Sequence, residues 1–232
     1  MVASAGAMDL RRKLWRRLLG RWYGGFVARA TARPSEARFL GHRLLTDPQV
    51  FHPVYFLSTR ILADSLLTID LRGKRFLDMG TGSGALGIVA AAGGAQVTAC
   101  DVNPRAVALA RENFSRNGLQ GEVLESNLFS AVEGRRFDVA CFNLPFYEEE
   151  PATPYEAAFH AGPGLSTIRR FATGCVTVLE PDGEAVVIFS EDCGRERVEA
   201  IFAEAGLTVA DRRFRRRVLD NFHIVRFRRG PR

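Results

Sequence analysis

Phe76-Leu77-Asp78-Met79-Gly80-Thr81-Gly82-Ser83-Gly84 is an apolar strand that runs straight into a turn with glycine at every second position. Such a turn lets the backbone bend sharply and lets a ligand approach the main chain closely. Residues 85–92 follow as an apolar stretch of helix length, closed by glycines. Strand, tight glycine loop and helix in that order commit the chain to an α/β fold. In such folds ligands sit beyond the carboxyl ends of the strands.

The alternation continues to the end of the chain. Strands are predicted at 75–78, 96–101, 122–125, 137–142, 184–189, 207–216 and 222–228. Helices are predicted at 56–69, 85–92, 104–117, 165–179 and 195–205. Asn103 can cap the third of these helices, with Pro104 tolerated at its first position and Gly118 closing it. Pro181, Asp182 and Gly183 form the lead into the fifth strand. Strand–helix alternation gives a mostly parallel, doubly wound, Rossmann-like sheet with helices on both faces. No helix separates the last two strands, so they should pair antiparallel.

At 232 residues the chain suffices for one sizeable domain and a small appendage. Hydrophobic residues are 47% and charged residues 25%, so it can build an ordinary core. No apolar run reaches the roughly 20 residues a membrane helix needs, so no membrane span is expected. Cys100, Cys141, Cys175 and Cys193 are widely spaced, which suggests neither a disulfide framework nor a zinc site. A reducing, cytoplasmic setting is the simple expectation. His42, His52, His160 and His223 also stand apart, without metal spacing.

The net charge is +6, and every basic residue except Lys13 and Lys74 is arginine. Basic residues crowd positions 1–43, where the acids are only Asp9 and Glu36. Leu10, Leu14, Leu18 and Trp22 recur every four residues there and share one helix face. Residues 1–45 are therefore read as a basic helical extension, with Gly20, Gly24 and Gly25 ending its helix. Residues 46–232 form the main domain. The extension's stripe is expected to pack on that domain; an organelle targeting segment, a membrane-surface helix and an arm for an acidic partner are the alternatives. The arginines at 212–217 and 226–229 suit either an RNA or acidic protein surface or the solvent side of two exposed strands.

The glycine turn fits two ligand classes. Gly82-Ser83-Gly84-Ala85-Leu86-Gly87 is formally GxGxxG, the dinucleotide fingerprint. Asp78 to Gly84 is also DxGxGxG, which resembles the first motif of class I methyltransferases that use S-adenosylmethionine (SAM). Asp101 ends the second strand and can accept ribose hydroxyls in either case.

The fourth strand separates them. It ends Phe142-Asn143-Leu144-Pro145-Phe146, which resembles the (N/D)PP(Y/F) motif of methyltransferases acting on nitrogen. An amide or exocyclic amine is a poor nucleophile because its lone pair is delocalised. The Asn143 side-chain oxygen and the Leu144 carbonyl can each accept a substrate N–H and aim that lone pair. Pro145 holds Leu144 extended. Phe146 is expected to stack on a planar acceptor. Orientation, rather than strong-base catalysis, is the chemistry this arrangement serves.

From about Val50 to Arg228 the chain resembles the HemK-type branch of class I methyltransferases, whose members methylate glutamine nitrogen in peptide release factors. Phe76 to Leu86, Asp101-Val102-Asn103-Pro104-Arg105-Ala106, Ala110-Arg111-Glu112-Asn113, Ser126-Asn127-Leu128-Phe129, Phe137-Asp138-Val139 and NLPF carry the likeness. Ala161-Gly162-Pro163-Gly164-Leu165 and Arg169-Arg170 extend it. The resemblance implies SAM as cofactor and S-adenosylhomocysteine as product. By position it implies that Asp78, Gly80, Thr81, Gly82, Gly84, Asp101, Val102, Asn127, Leu128 and Asn143 bind SAM. Asn143, Leu144, Pro145 and Phe146 would hold the target nitrogen.

This chain departs from the pattern in three places. Leu144 replaces the first proline of the motif, Asn127 stands where an aspartate is usual, and the segment from Tyr147 to His160 is its own. NLP followed by an aromatic also resembles adenine dimethyltransferases of ribosomal RNA. Three acceptors follow: a protein glutamine, favoured by the resemblance; an RNA base; or a natural-product amine or amide. A non-catalytic SAM-binding module and an oxidoreductase are the rivals from other classes.

Overall fold

The structure, a computed structural model, describes residues 25–217 and 220–230. The stripe of Leu10, Leu14, Leu18 and Trp22 lies outside the described residues. Residues 25–30 are helical.

The main sheet has seven strands: β3 (Arg75–Met79), β4 (Gln96–Asp101), β5 (Glu122–Glu125), β6 (Phe137–Asn143), β7 (Leu179–Ser190), β8 (Leu207–Arg215) and β9 (Phe222–Arg229). Their spatial order is β5-β4-β3-β6-β7-β9-β8. The first five in that order run parallel, and β9 is antiparallel to both neighbours, as the missing helix between the last two strands predicts. The parallel strands are buried on both faces, which explains their nearly continuous apolar sequence. Alternation still sorts the side chains. Phe76, Val139 and Cys141 join one core layer; Leu77, Ala140 and Phe142 join the other.

The first layer is closed by α1 (Leu57–Leu66), α2 (Ala85–Ala92) and α3 (Pro104–Arg116), the second by α4 (Ser166–Val178) and α5 (Arg195–Glu204). α3 begins as expected: the Asn103 side chain accepts from the Arg105 N–H at 3.0 Å, and Pro104 occupies the first turn. Pro181, Asp182 and Gly183 do not precede β7 but lie inside it, where pairing with β6 shifts register. Phe222, Ile224 and Phe227 are core residues.

Residues 35–46 differ from the helical expectation. They form an antiparallel hairpin of β1 (Ser35–Phe39) and β2 (His42–Thr46). Its two-residue turn, Leu40-Gly41, has positive φ at both positions, the geometry that matches strand twist. Phe39 and Leu44 are buried in the layer beneath α1 to α3, so the hairpin belongs to the main domain's packing. A boundary at 45/46 cuts through β2.

Asn113, fully buried on α3, ties the hairpin to the glycine loop. Its Oδ1 accepts from the Leu45 N–H at 2.7 Å, and its Nδ2 donates to the Leu45 and Ser83 carbonyls at 3.0 and 2.9 Å. Asn113→Ala strands three backbone groups and should cost about 2–4 kcal/mol of stability. A urea melt with an unchanged midpoint would remove this role.

Most of the C-terminal arginines serve the fold. Arg226 and Arg228 both pair with buried Glu184, Arg212 pairs with Glu199 and Arg213 with Asp211. Arg229 donates to the Val176 and Leu179 carbonyls. Arg215, Arg216 and Arg217 are exposed.

Candidate active site

The carboxyl ends of β3, β4 and β6 open into a cleft of about 300 Å³. Its floor is the turn after β3. Gly80 has φ +63°, and a Cβ there would fall 2.6 Å from the Phe142 ring, so only glycine fits. Gly80, Thr81 and Gly82 line the cleft. Gly84 does not; its φ of +83° and the close approach of Ala110 start α2 against α3.

Asp78 also stays out of the cleft. It is fully buried beneath the turn, and its Oδ2 accepts from the Thr81 hydroxyl at 2.6 Å and the Gly87 N–H at 2.9 Å. Its Oδ1 has no hydrogen-bond partner. Burial raises its pKa to about 7, against the lowering effect of those two bonds. Asp78 thus braces the loop from below.

Asp101 does reach the cleft. Its Oδ2 accepts from the Gly82 N–H at 2.8 Å and its Oδ1 from the Asn103 N–H at 2.9 Å. Burial raises its pKa, and the backbone N–H groups of Asn103, Gly82 and Val102 oppose that. The carboxylate thus locks two loops together beside the space a ribose would take. Val102, Asn127 and Leu128 line the same end. The Asn127 Oδ1 accepts from Arg170 at 2.9 Å, a partner the motif does not reveal. Leu128 sits at φ +53°, with its carbonyl held by the Ser126 hydroxyl.

At the other end the NLPF residues divide. The Leu144 N–H donates to the Ile188 carbonyl at 3.0 Å, which prolongs strand geometry past β6. Side chains therefore alternate. Asn143 and Pro145 line the cleft, while Leu144 is buried in the core. Phe146 is partly buried against the core with its ring 4.6 Å from Tyr147. The Asn143 Nδ2 donates to the Ser58 hydroxyl at 3.1 Å.

Two walls were not legible in the motifs. One is Gln49 to Phe51, Pro53 and Thr59, ahead of and within α1. The other comes from the segment after NLPF, which folds back on itself. The Phe146 and Tyr147 N–H groups donate to the Phe159 carbonyl, and the Ala161 N–H donates to the Tyr147 carbonyl. That closure places Glu150, Tyr155 and His160 on the cleft. Glu148 pairs with Arg197 at the surface.

All four cysteines are free and buried, and burial pushes the Cys100 and Cys193 thiols up to about 12 and those of Cys141 and Cys175 well above the usual range. None is placed to act as a thiolate. Among the described residues no cluster of three or more His, Cys, Asp or Glu could hold a metal. Nor is any described helix long and apolar enough to cross a membrane.

The glycine cradle fits an extended nucleoside ligand, with its floor open to backbone contact and a carboxylate at one side. The fold is that of the class I methyltransferases among solved structures. The chain belongs to the methyltransferase small domain family, whose model matches residues 42–216. Ribosomal RNA small subunit methyltransferase C of Chromohalobacter salexigens is 34% identical over 201 residues, 83% of this chain and 57% of the relative. The chain thus spans little more than half of that protein. A Methanocaldococcus jannaschii protein, provisionally named a protein N5-glutamine methyltransferase, is 32% identical over 166 residues, covering 67% of this chain and 80% of the relative.

Two solved structures share the fold. The E. cuniculi Mtq2–Trm112 complex, responsible for methylation of the translation termination factor eRF1, matches with TM-score 0.63 and 23% identity, over 78% of this chain and 99% of the other. The T. thermophilus 16S rRNA N2 G1207 methyltransferase, bound to SAM and guanosine, matches with TM-score 0.62 and 20% identity, over 85% and 50%.

Proposed function

We propose that this enzyme transfers the methyl group of SAM to an amide or exocyclic amine nitrogen held by Asn143 and the Leu144 carbonyl. The observation that carries this reading is that Asn143 and Pro145 line the same cleft as Gly80 to Gly82 and Asp101. SAM supplies an electrophilic methyl carbon. Gly80, Thr81 and Gly82 cradle its amino-acid portion, and Asp101 accepts its ribose hydroxyls. Val102 and Leu128 flank the adenine, with Asn127 as its polar contact. Asn143 and Leu144 accept the two N–H groups of the acceptor, which directs the nitrogen lone pair at the methyl carbon; the new N–C bond would replace the S–C bond of SAM, S-adenosylhomocysteine would leave, and the nitrogen would give up one proton to solvent. Pro145 fixes the Leu144 carbonyl.

The favoured acceptor is a protein glutamine, in keeping with the motif order and with the M. jannaschii relative, 80% of which this chain covers. A base in RNA is the second reading; the likeness to the ribosomal RNA relative, over 83% of this chain, supports it. Incubation with tritiated SAM against release-factor protein, ribosomal RNA and a metabolite extract separates them. Label on protein glutamine nitrogen is the expected result. Label on oxygen or carbon, or none in any fraction, sinks the reading.

Asp101→Ala should weaken SAM binding by roughly ten- to a hundredfold through loss of charge-assisted hydrogen bonds. Calorimetry on the folded variant checks this, and an unchanged affinity removes Asp101 from the cofactor site.

A further inference from the structure

An asparagine amide has two ends of opposite chemistry, and only its oxygen can receive an acceptor N–H. In the cleft the nitrogen end of Asn143 is committed: Nδ2 donates to the Ser58 Oγ at 3.1 Å. Ser58 is buried, stands in the first turn of α1 and is 85 residues upstream of Asn143. We propose that Ser58 is a positioning residue for methyl transfer: by accepting from Nδ2 it anchors the Asn143 amide at the cleft wall in the orientation that leaves Oδ1 to the acceptor N–H. This rests on the reading of Asn143 as the group that holds the target nitrogen.

The physical need is plain. The last torsion of asparagine is broad and roughly two-fold, so an untethered amide can turn over at little cost. Turned over, its NH2 would face the substrate N–H, donor against donor. Ser58 is delivered on a rigid element. Ile61, Leu62 and Leu66 of α1 are buried in the layer that also holds Cys141 and Ile188 of the sheet. The neighbouring Thr59 lines the cleft. One helix start therefore shapes the wall and sets the amide beside it.

The test measures methyl transfer from tritiated SAM to a mixture of release-factor protein and ribosomal RNA, with SAM affinity measured in parallel. Ser58→Ala should lower kcat about three- to tenfold, the consequence of one lost hydrogen bond, with SAM affinity unchanged. Ser58→Asp offers only acceptor oxygens, at a helix N-terminus where a carboxylate is favourable. It keeps Nδ2 engaged and should restore turnover to within about twofold of wild type. A merely structural serine would not be rescued in this way.

Equal turnover in Ser58→Ala and wild type overturns the proposal, as do equal losses in the Ala and Asp variants. Asn143→Ala at the wild-type rate, or no label with wild type, overturns instead the reading of the site. The contact itself is then decided by 15N spectra of the unaltered protein. Asn143 side-chain amide protons protected from exchange support it; rapid exchange overturns it. The same spectrum decides if Ser58→Ala does not fold.

Discussion

Asn143→Ala is expected to cut methyl transfer at least about a hundredfold while SAM affinity stays within about twofold. The expected size follows from what is lost. Removing one preorganised hydrogen-bonding group at a reacting centre typically costs about 10²–10³ in turnover. Here the group both binds the acceptor N–H and directs its lone pair, so orientation is lost along with the bond. Leu144 cannot compensate, because its side chain is buried in the core and only its carbonyl is available. The cofactor end should be indifferent, since Gly82 and Asp101 hold each other without Asn143. Single-turnover transfer and calorimetry check the two halves. A variant that transfers at the wild-type rate would reduce NLPF to a strand end. Asn143→Asp provides a control: a carboxylate still accepts, so part of the activity should survive.

How NLPF divides shows what a sequence makes legible. Two-residue alternation in β6 already assigns Ala140 and Phe142 to one face. Carried past the strand end, it sends Leu144 and Phe146 to that face and Asn143 and Pro145 to the other. The same period puts Phe146 with Leu144, on the side away from Asn143. The elements themselves were legible as apolar runs of helix or strand length between turn residues: 85–92 lies between Gly84 and Gly93, and 96–101 between Gly94 and Asn103. The hairpin at 35–46 was not. Its turn places a leucine at φ +49°, where Asn or Gly would have been the signal, and its strands alternate weakly among arginines. Ser58, Arg170 and His160 escaped because their roles depend on chain segments brought together across long separations, which no local pattern encodes.

Asp78 gives the other large effect, and its sign runs against the usual carboxylate. A paired surface Asp stabilises a protein as it ionises; Asp78 should do the reverse. Its folded pKa is raised from 3.8 to about 7, chiefly by burial, with the charge of Asp101 adding to it. The unfolded chain releases that proton near pH 4, whereas the folded chain keeps it to near pH 7. Between those values the folded state binds more protons, so stability falls as pH rises. The cost is absent below about pH 4 and complete above about pH 7. A shift of this size corresponds to something on the order of 4 kcal/mol. Asp78→Asn removes the ionisation while its side-chain oxygen can still accept from Thr81 and Gly87. The unpartnered Oδ1 position then holds an NH2, which costs stability at every pH alike. The absolute midpoint is therefore a poor test, and the difference between the two proteins is a good one. From pH 4 to pH 8, urea melts should show the variant gaining on wild type by a few kcal/mol, most of it by pH 7. Groups such as His52 and His223 titrate in both proteins and cancel in that difference. Parallel curves across the range would mean that Asp78 ionises freely in the fold, and that its unpartnered oxygen is solvated.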